Sequence, residues 1–334
     1  MVVIESYAIA VVMLFVTMIC WGSWANTQKL ASREWPYQLF YWDYVLGVLI
    51  LALVLAFTMG STGSAGRGFL ADLSQVSFNA LLLAFIGGIV FNLANILLVV
   101  AIDIAGMAVA FPIGIGLALV VGVVVNYVAT PLGDPLVLFL GVGLVVVAIV
   151  LDALSYRRLP DQDVNTTAKG IGVSIMCGIL MGFFYRFVAA SMSENFVHPV
   201  PGKMTPYTAV VVFSLGVVLS NFLWNTIFMK KPISGAPVSY RDYFRQGTPK
   251  LHLIGILGGV IWSIGMAFNI IASGEAGFAI AYGLGQGATL ISALWGVFIW
   301  KEFKEASPGT NAILTFMFLC YLAGLGLIIY ARVA

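Results

Sequence analysis

Residues 87–106 read GGIVFNLANILLVVAIDIAG, and residues 258–277 read GGVIWSIGMAFNIIASGEAG. The two stretches align without a gap at an offset of 171, and the register continues: MAVAFPIGIG at 107–116 lies over FAIAYGLGQG at 278–287. Glycines coincide at Gly87/Gly258, Gly88/Gly259, Gly106/Gly277, Gly114/Gly285 and Gly116/Gly287. Each copy opens with an apolar run of the ~20 residues a helix needs to cross a bilayer, then a short turn and a second apolar run. A fainter echo at an offset of 160 sets WGSWAN at 21–26 over MGFFYR at 181–186. The chain therefore reads as two halves, 1–160 and 161–334, each with five spanning segments. Five is odd, so the second half crosses the membrane in the opposite sense, and inverted repeats of this kind mark secondary transporters.

The rest of the chain agrees with a membrane reading. Hydrophobic residues make up 61% of the 334 and charged residues 9%, against about 25% charged in a soluble domain. Mean hydropathy is +1.03. Ten apolar segments emerge, at 6–26, 39–60, 79–101, 106–129, 135–155, 169–190, 206–229, 251–272, 276–300 and 310–331. The fold class is all-α: a polytopic membrane protein of ten helices in two inverted repeats. The first segment has no basic stretch before it and reads as a spanning helix rather than a cleavable signal. Connections on one side carry Lys29, Arg33, Arg157, Arg158, Lys169, Lys230, Lys231, Arg241, Arg245, Lys250, Lys301 and Lys304; those on the other carry Arg67, Lys203 and Arg332. The basic side is expected in the cytoplasm of a cell-membrane protein, with both termini outside.

Several function classes are disfavoured. A net charge of +2 does not suit nucleic acid. Cys20, Cys177 and Cys320 lie in apolar segments, and the two histidines are His198 and His252, so neither a metal site nor any other cofactor is expected. No P-loop is present. A membrane-embedded, lipid-modifying enzyme is the rival from another class, but the acidic or metal-binding cluster such an enzyme uses is missing.

Ionisable groups in a spanning helix cost about 2.5–3.5 kcal/mol at the bilayer centre, so they are functional candidates. Asp43, in Tyr41-Trp42-Asp43-Tyr44, is the candidate proton-coupling residue; the alternative is a carboxylate held by Tyr and Trp in the interfacial belt, where Trp35 and Trp42 are expected. Arg186 offers five donors to a substrate. Asn92 and Asn95 share a helix face, Asn269 lies on the matching eighth segment, and each amide suits hydroxyls or amides of a ligand. Asn221 and Asn225 read better as glue between helices. Phe111-Pro112-Ile113-Gly114 and Tyr282-Gly283-Leu284-Gly285-Gln286 interrupt corresponding helices of the two halves. Such interruptions point to a midplane binding site and make Pro112, Tyr282 and Gln286 candidates. Trp21, Trp24 and Trp262 would supply flat walls, with Asn26 beside them. Gly255 and Gly259 could pack helices or a dimer. Asp152 is expected to pair with Arg157 or Arg158.

Three stretches carry a family resemblance: CWGSWAN at 20–26, YWDY at 41–44, and the run from Gly258 to Lys301-Glu302. With the ten-segment plan, they resemble the drug/metabolite transporter superfamily, nearest the branch of glucose/ribose porters, the rhamnose–proton symporter and the ureide permeases. The connection at about 156–168 is shorter than the resemblance to the plant ureide permeases implies. The resemblance implies alternating access around a central cavity lined by segments 1, 3, 4, 6, 8 and 9. It also implies a small polar substrate, with sugars first and ureides or nucleobases next, and coupling to protons, with facilitated diffusion as the alternative. The expected partners are that substrate, protons and membrane lipid, for a monomer or weak homodimer.

Overall fold

The computed structural model describes residues 1–31, 34–159, 168–232 and 236–334. Arg33 and most of the short central connection, 160–167, lie outside the described residues. The architecture is all-helical. Among the described residues, ten helices are long and apolar enough to cross a membrane: α1 (Tyr7–Ala31), α2 (Tyr37–Phe57), α4 (Phe78–Ala105), α5 (Phe111–Ala129), α6 (Pro135–Tyr156), α7 (Ala168–Ser191), α8 (Pro206–Lys230), α10 (Pro249–Ala276), α11 (Phe278–Ile299) and α12 (Thr310–Tyr330). Two short helices, α3 (Phe69–Gln75) and α9 (Tyr240–Gln246), fill the connections that the sequence left as polar loops.

The 171-residue register reaches further than the sequence motif. It relates both ends of α3 to those of α9, and both ends of α4 to those of α10. The helix starts are capped alike: Ser77 Oγ accepts from Ala80 N at 3.3 Å, and Thr248 Oγ1 accepts from Leu251 N at 3.3 Å, each satisfying a backbone donor that the first turn leaves open. Gly106 and Gly277 end these helices with φ of +73° and +82°, a region that a side chain disfavours. The expected irregularities are present. Phe111–Ile115 is a π-helical turn containing Pro112, which has no N–H to donate. In α11 the ladder breaks into a turn at Gln286 and Gly287.

By contacts, the chain forms two compact units. One comprises Met1–Asn92 with Phe184–Glu275; the other comprises Leu93–Phe183 with Ala276–Ala334. In the first, α2 and α10 touch backbone to backbone. A Cβ added at Gly259 would run into the Tyr44 carbonyl and lie 2.8 Å from Val48 N, and one at Gly47 would meet Ile256 O. Helices α4 and α8 repeat this contact: a Cβ at Gly88 would run into the Phe213 carbonyl and lie 2.9 Å from Val217 N, and one at Gly216 would meet Phe85 O. Gly255 and Gly259 thus pack α10 within this unit. In the second unit, α6 and α12 meet at Gly141 and Gly324, where an added Cβ on either would lie 2.7–2.8 Å from the other's carbonyl oxygen.

Candidate functional site

The two glycine contacts in the first unit bring six aromatic side chains together. Phe91 and Trp262 have ring centroids 4.4 Å apart. Phe184 lies 5.0 Å from Phe91 and 6.0 Å from Phe213, Trp24 lies 4.7 Å from Tyr44, and Tyr44 lies 6.4 Å from Trp262. The six form three pairs related by offsets seen in the chain: Phe91/Trp262 by 171, Trp24/Phe184 by 160, and Tyr44/Phe213 by the 169 that also relates Gly47 to Gly216. Each pair joins one phenylalanine to one ring with a polar tip. Trp21 stacks on Trp262 at 5.9 Å and donates its Nε1–H to the Trp262 carbonyl at 3.2 Å.

Polar groups thread this cluster. The Tyr41 hydroxyl donates to Asn92 Oδ1 at 2.9 Å, and Asn92 Nδ2 donates to Ser220 Oγ at 2.9 Å. Asn92 is thereby tied to α2 and α8. Asn225 donates to the Gln38 carbonyl at 2.8 Å, as glue between helices. Asn221, expected to be glue as well, is fully buried with neither amide atom hydrogen-bonded, and the buried Tyr44 hydroxyl also lacks a partner among the described residues. Unpaired buried polar groups are rare enough to call for an explanation. Asn26 donates to its own helix at Ser23 O, 3.0 Å, and Asn269 is fully buried. Arg186 is half-buried, feels the charge of Glu194, and makes no hydrogen bond to the described residues.

Asp43 sits where α2 meets α9 and α10. It is 1% exposed and accepts from Tyr243 Oη at Oδ1, 2.5 Å, and from Trp35 Nε1 at Oδ2, 3.2 Å, with His252 Nδ1 2.9 Å from Oδ1. Burial, and then the bond to this carboxylate, push the Tyr243 phenol well above its ordinary range. Trp35, in the α1–α2 connection, is buried against Asp43, where its indole N–H finds a buried acceptor.

The second unit holds the other candidates. Asn95 is buried. The Tyr282 hydroxyl is shared between the carbonyls of Ala118 at 3.2 Å and Met181 at 3.0 Å, and its ring lies where a Cβ on Gly122 would be. Tyr282 therefore knits α5, α7 and α11. Gln286, at the break in α11, makes no side-chain hydrogen bond to the described residues. Asp152 pairs with neither Arg157 nor Arg158. Arg158 turns to the Pro308 carbonyl at 3.2 Å, while the Asp152 carboxyl is buried and feels Glu302.

The Ureide permease family model matches residues 40–163 and 162–331, nearly the whole chain. The chain belongs to the ureide permease family. Its relatives include Ureide permease 4 and Ureide permease 1 of Arabidopsis thaliana, 24% and 23% identical, each aligned over 98% of both chains. The glucose uptake protein GlcU of Bacillus subtilis is 23% identical over 78% of both. A solved crystal structure shares the fold with a TM-score of 0.62 over 98% of this chain and 99% of that one, at 13% identity. This family member is thus a multi-pass membrane transporter of small metabolites and not an enzyme.

Sequence reasoning on this transporter missed Phe91, Phe184, Tyr44 and Phe213 in the aromatic cluster, and Tyr243 and His252 beside Asp43. The signal for two of them was at hand. Carrying Trp262 back by 171 gives Phe91, and carrying Trp24 forward by 160 gives Phe184. The 169 offset of Tyr44 and Phe213 joins α2 to α8, whose sequences share too little to reveal it.

Proposed function

We propose that this protein is a secondary active transporter that moves a small, uncharged polar metabolite by alternating access between two inverted halves, driven by proton symport. The observation that carries the reading is the aromatic cluster of three register-related pairs, one member of which, Tyr44, has a buried hydroxyl without a partner among the described residues. Flat rings suit the face of a sugar or a planar ureide, and a buried hydroxyl without a protein partner suits a ligand that supplies one. The matching glycine contacts, α2 on α10 and α4 on α8, support two halves of one design. Arg186 and Gln286, free of acceptors and donors among the described residues, and Asn269 are the further substrate contacts we propose.

Sugars led the reading of the sequence alone. The relatives named ureide permeases bring ureides level with them, and the bacterial glucose uptake protein keeps sugars as the second reading. Uptake of allantoin, uracil and glucose into proteoliposomes, with and without an inward proton gradient, ranks these classes. Accumulation of none of them under any gradient removes the reading. Tyr44→Phe tests the site itself. Loss of one hydrogen bond to the cargo raises KM about threefold to tenfold, while the melting temperature holds or rises because a buried unpaired hydroxyl is gone. An unchanged KM excludes Tyr44 from the binding site.

A further inference from the structure

We infer that the proton-coupling unit is the pair Asp43–His252, with His252 the member that exchanges its proton with water; this rests on the proton-symport reading above. The side chain of Asp43 is 1% exposed and that of His252 is 27% exposed, with His252 Nδ1 2.9 Å from Asp43 Oδ1. A proton from the aqueous phase therefore meets the imidazole before the carboxylate. The surrounding groups fix the route. Trp35 donates to Oδ2, while His252 Nδ1 lies against Oδ1, so Oδ1 is the oxygen within reach of the imidazole proton. Tyr243 donates to that same Oδ1 and packs its ring on the imidazole at 4.8 Å, with Trp35 on the imidazole at 5.3 Å.

Two glycines leave the pair room. A Cβ on Gly255 would fall against the Asp43 side chain, and one on Gly247 would occupy the space at His252 Nε2. From the elements packed here, the groups acting on Asp43 are Tyr243 of α9, His252 of α10 and Trp35 of the α1–α2 connection. No permanent cation holds the carboxylate among the described residues. Histidine changes charge near neutral pH. In the proposed step Nε2 takes a proton from water and Nδ1 passes its own to Oδ1, leaving a neutral imidazole beside a carboxylic acid. Release runs the same two transfers backwards.

The test uses purified full-length protein in proteoliposomes, with whichever of allantoin, uracil or glucose the wild type accumulates. Accumulation driven by a pH gradient is compared with counterflow of the same probe at equal pH on both sides. Asp43→Asn and His252→Gln are each expected to cut gradient-driven accumulation by about tenfold or more while counterflow stays within about twofold. Counterflow also certifies that each variant is folded. Tyr243→Phe should keep accumulation and move the pH of half-maximal uptake upward, because the carboxylate loses a donor. Wild-type accumulation and an unchanged pH profile in His252→Gln would overturn the inference. Loss of counterflow in that variant, with wild-type melting, would overturn it too by placing His252 in the substrate path. A wild type that shows counterflow but no gradient-driven accumulation removes the proton-symport reading, and the pair with it.

Discussion

Helices α3 and α9 occupy the same place in the 171-residue register, yet each is clasped to a spanning helix by different chemistry. On α3, Asp72 is buried and takes four donors: Arg67 Nε at 2.8 Å, Gln75 Nε2 at 3.2 Å, and Thr205 N and Oγ1 at 2.8 and 3.0 Å at the start of α8. On α9 the register places Tyr243 where α3 has Asp72. The carboxylate sits instead on the spanning helix, as Asp43, and its basic neighbour is His252. Arginine carries its charge at any working pH, whereas histidine does not. Two helices in one register are thus held by different pairs, a guanidinium on a carboxylate at α3 and an imidazole and a phenol on a carboxylate at α9. The difference shows how two helices in one register are held by different chemistry after few residue changes.

The comparison breaks first at Asp72. Asp72→Ala removes the acceptor of Arg67 Nε, Gln75 Nε2 and both Thr205 donors, while the guanidinium keeps the Pro199, Val200 and Lys203 carbonyls; losing bonds to a charged group costs about 1.5–3 kcal/mol, and a fall of several degrees in the unfolding midpoint in detergent is expected. Asp43→Asn should cost clearly less, because no guanidinium loses its carboxylate. Equal losses in the two variants would erase the distinction between the clasps.

Arg67→His sharpens the comparison by making the α3 clasp titratable. A histidine beside Asp72 has its folded pKa raised. Its stabilisation is fully present below the ordinary value of about 6.5 and is lost as pH rises through the folded value. The amount lost is about 1.4 kcal/mol for each pH unit that separates the two values. Thermal unfolding from pH 5 to 9 should show this added decline, and a profile parallel to wild type would count against it.

The smallest effect concerns the start of α9. Ser239 and Asp242 form a reciprocal capping box, and the Ser239 hydroxyl and backbone N–H hold the Asp242 carboxyl below its ordinary range. A depressed folded pKa means the contribution is present above about pH 4 and is lost as pH falls further. Backbone amides of α9 should then exchange faster with solvent below that pH, while those of α3 do not.

The ten spanning helices were legible because each is an uninterrupted apolar run, and their ends in the structure fall within a few residues of the hydropathy edges. The breaks in α5 and α11 were legible from Pro112 and the glycines flanking Gln286. The short helices were not, since in seven residues Phe69 and Leu73, or Tyr240, Tyr243 and Phe244, make too brief a periodic pattern to separate helix from loop. The surroundings of Asp43 were hidden for a different reason. Tyr243 and His252 are about 200 residues away in sequence, and only packing of α9 and α10 on α2 brings them near.

The aromatic cluster has one further consequence. Its backbone frame is duplicated, but its chemistry is not: Phe91, Phe184 and Phe213 lie on α4, α7 and α8, while Trp24, Tyr44 and Trp262 lie on α1, α2 and α10. A cargo held there would meet hydrocarbon on one flank and hydrogen-bonding tips on the other. It would have a single way up, so a frame whose glycine contacts repeat would still distinguish the top of a molecule from its bottom.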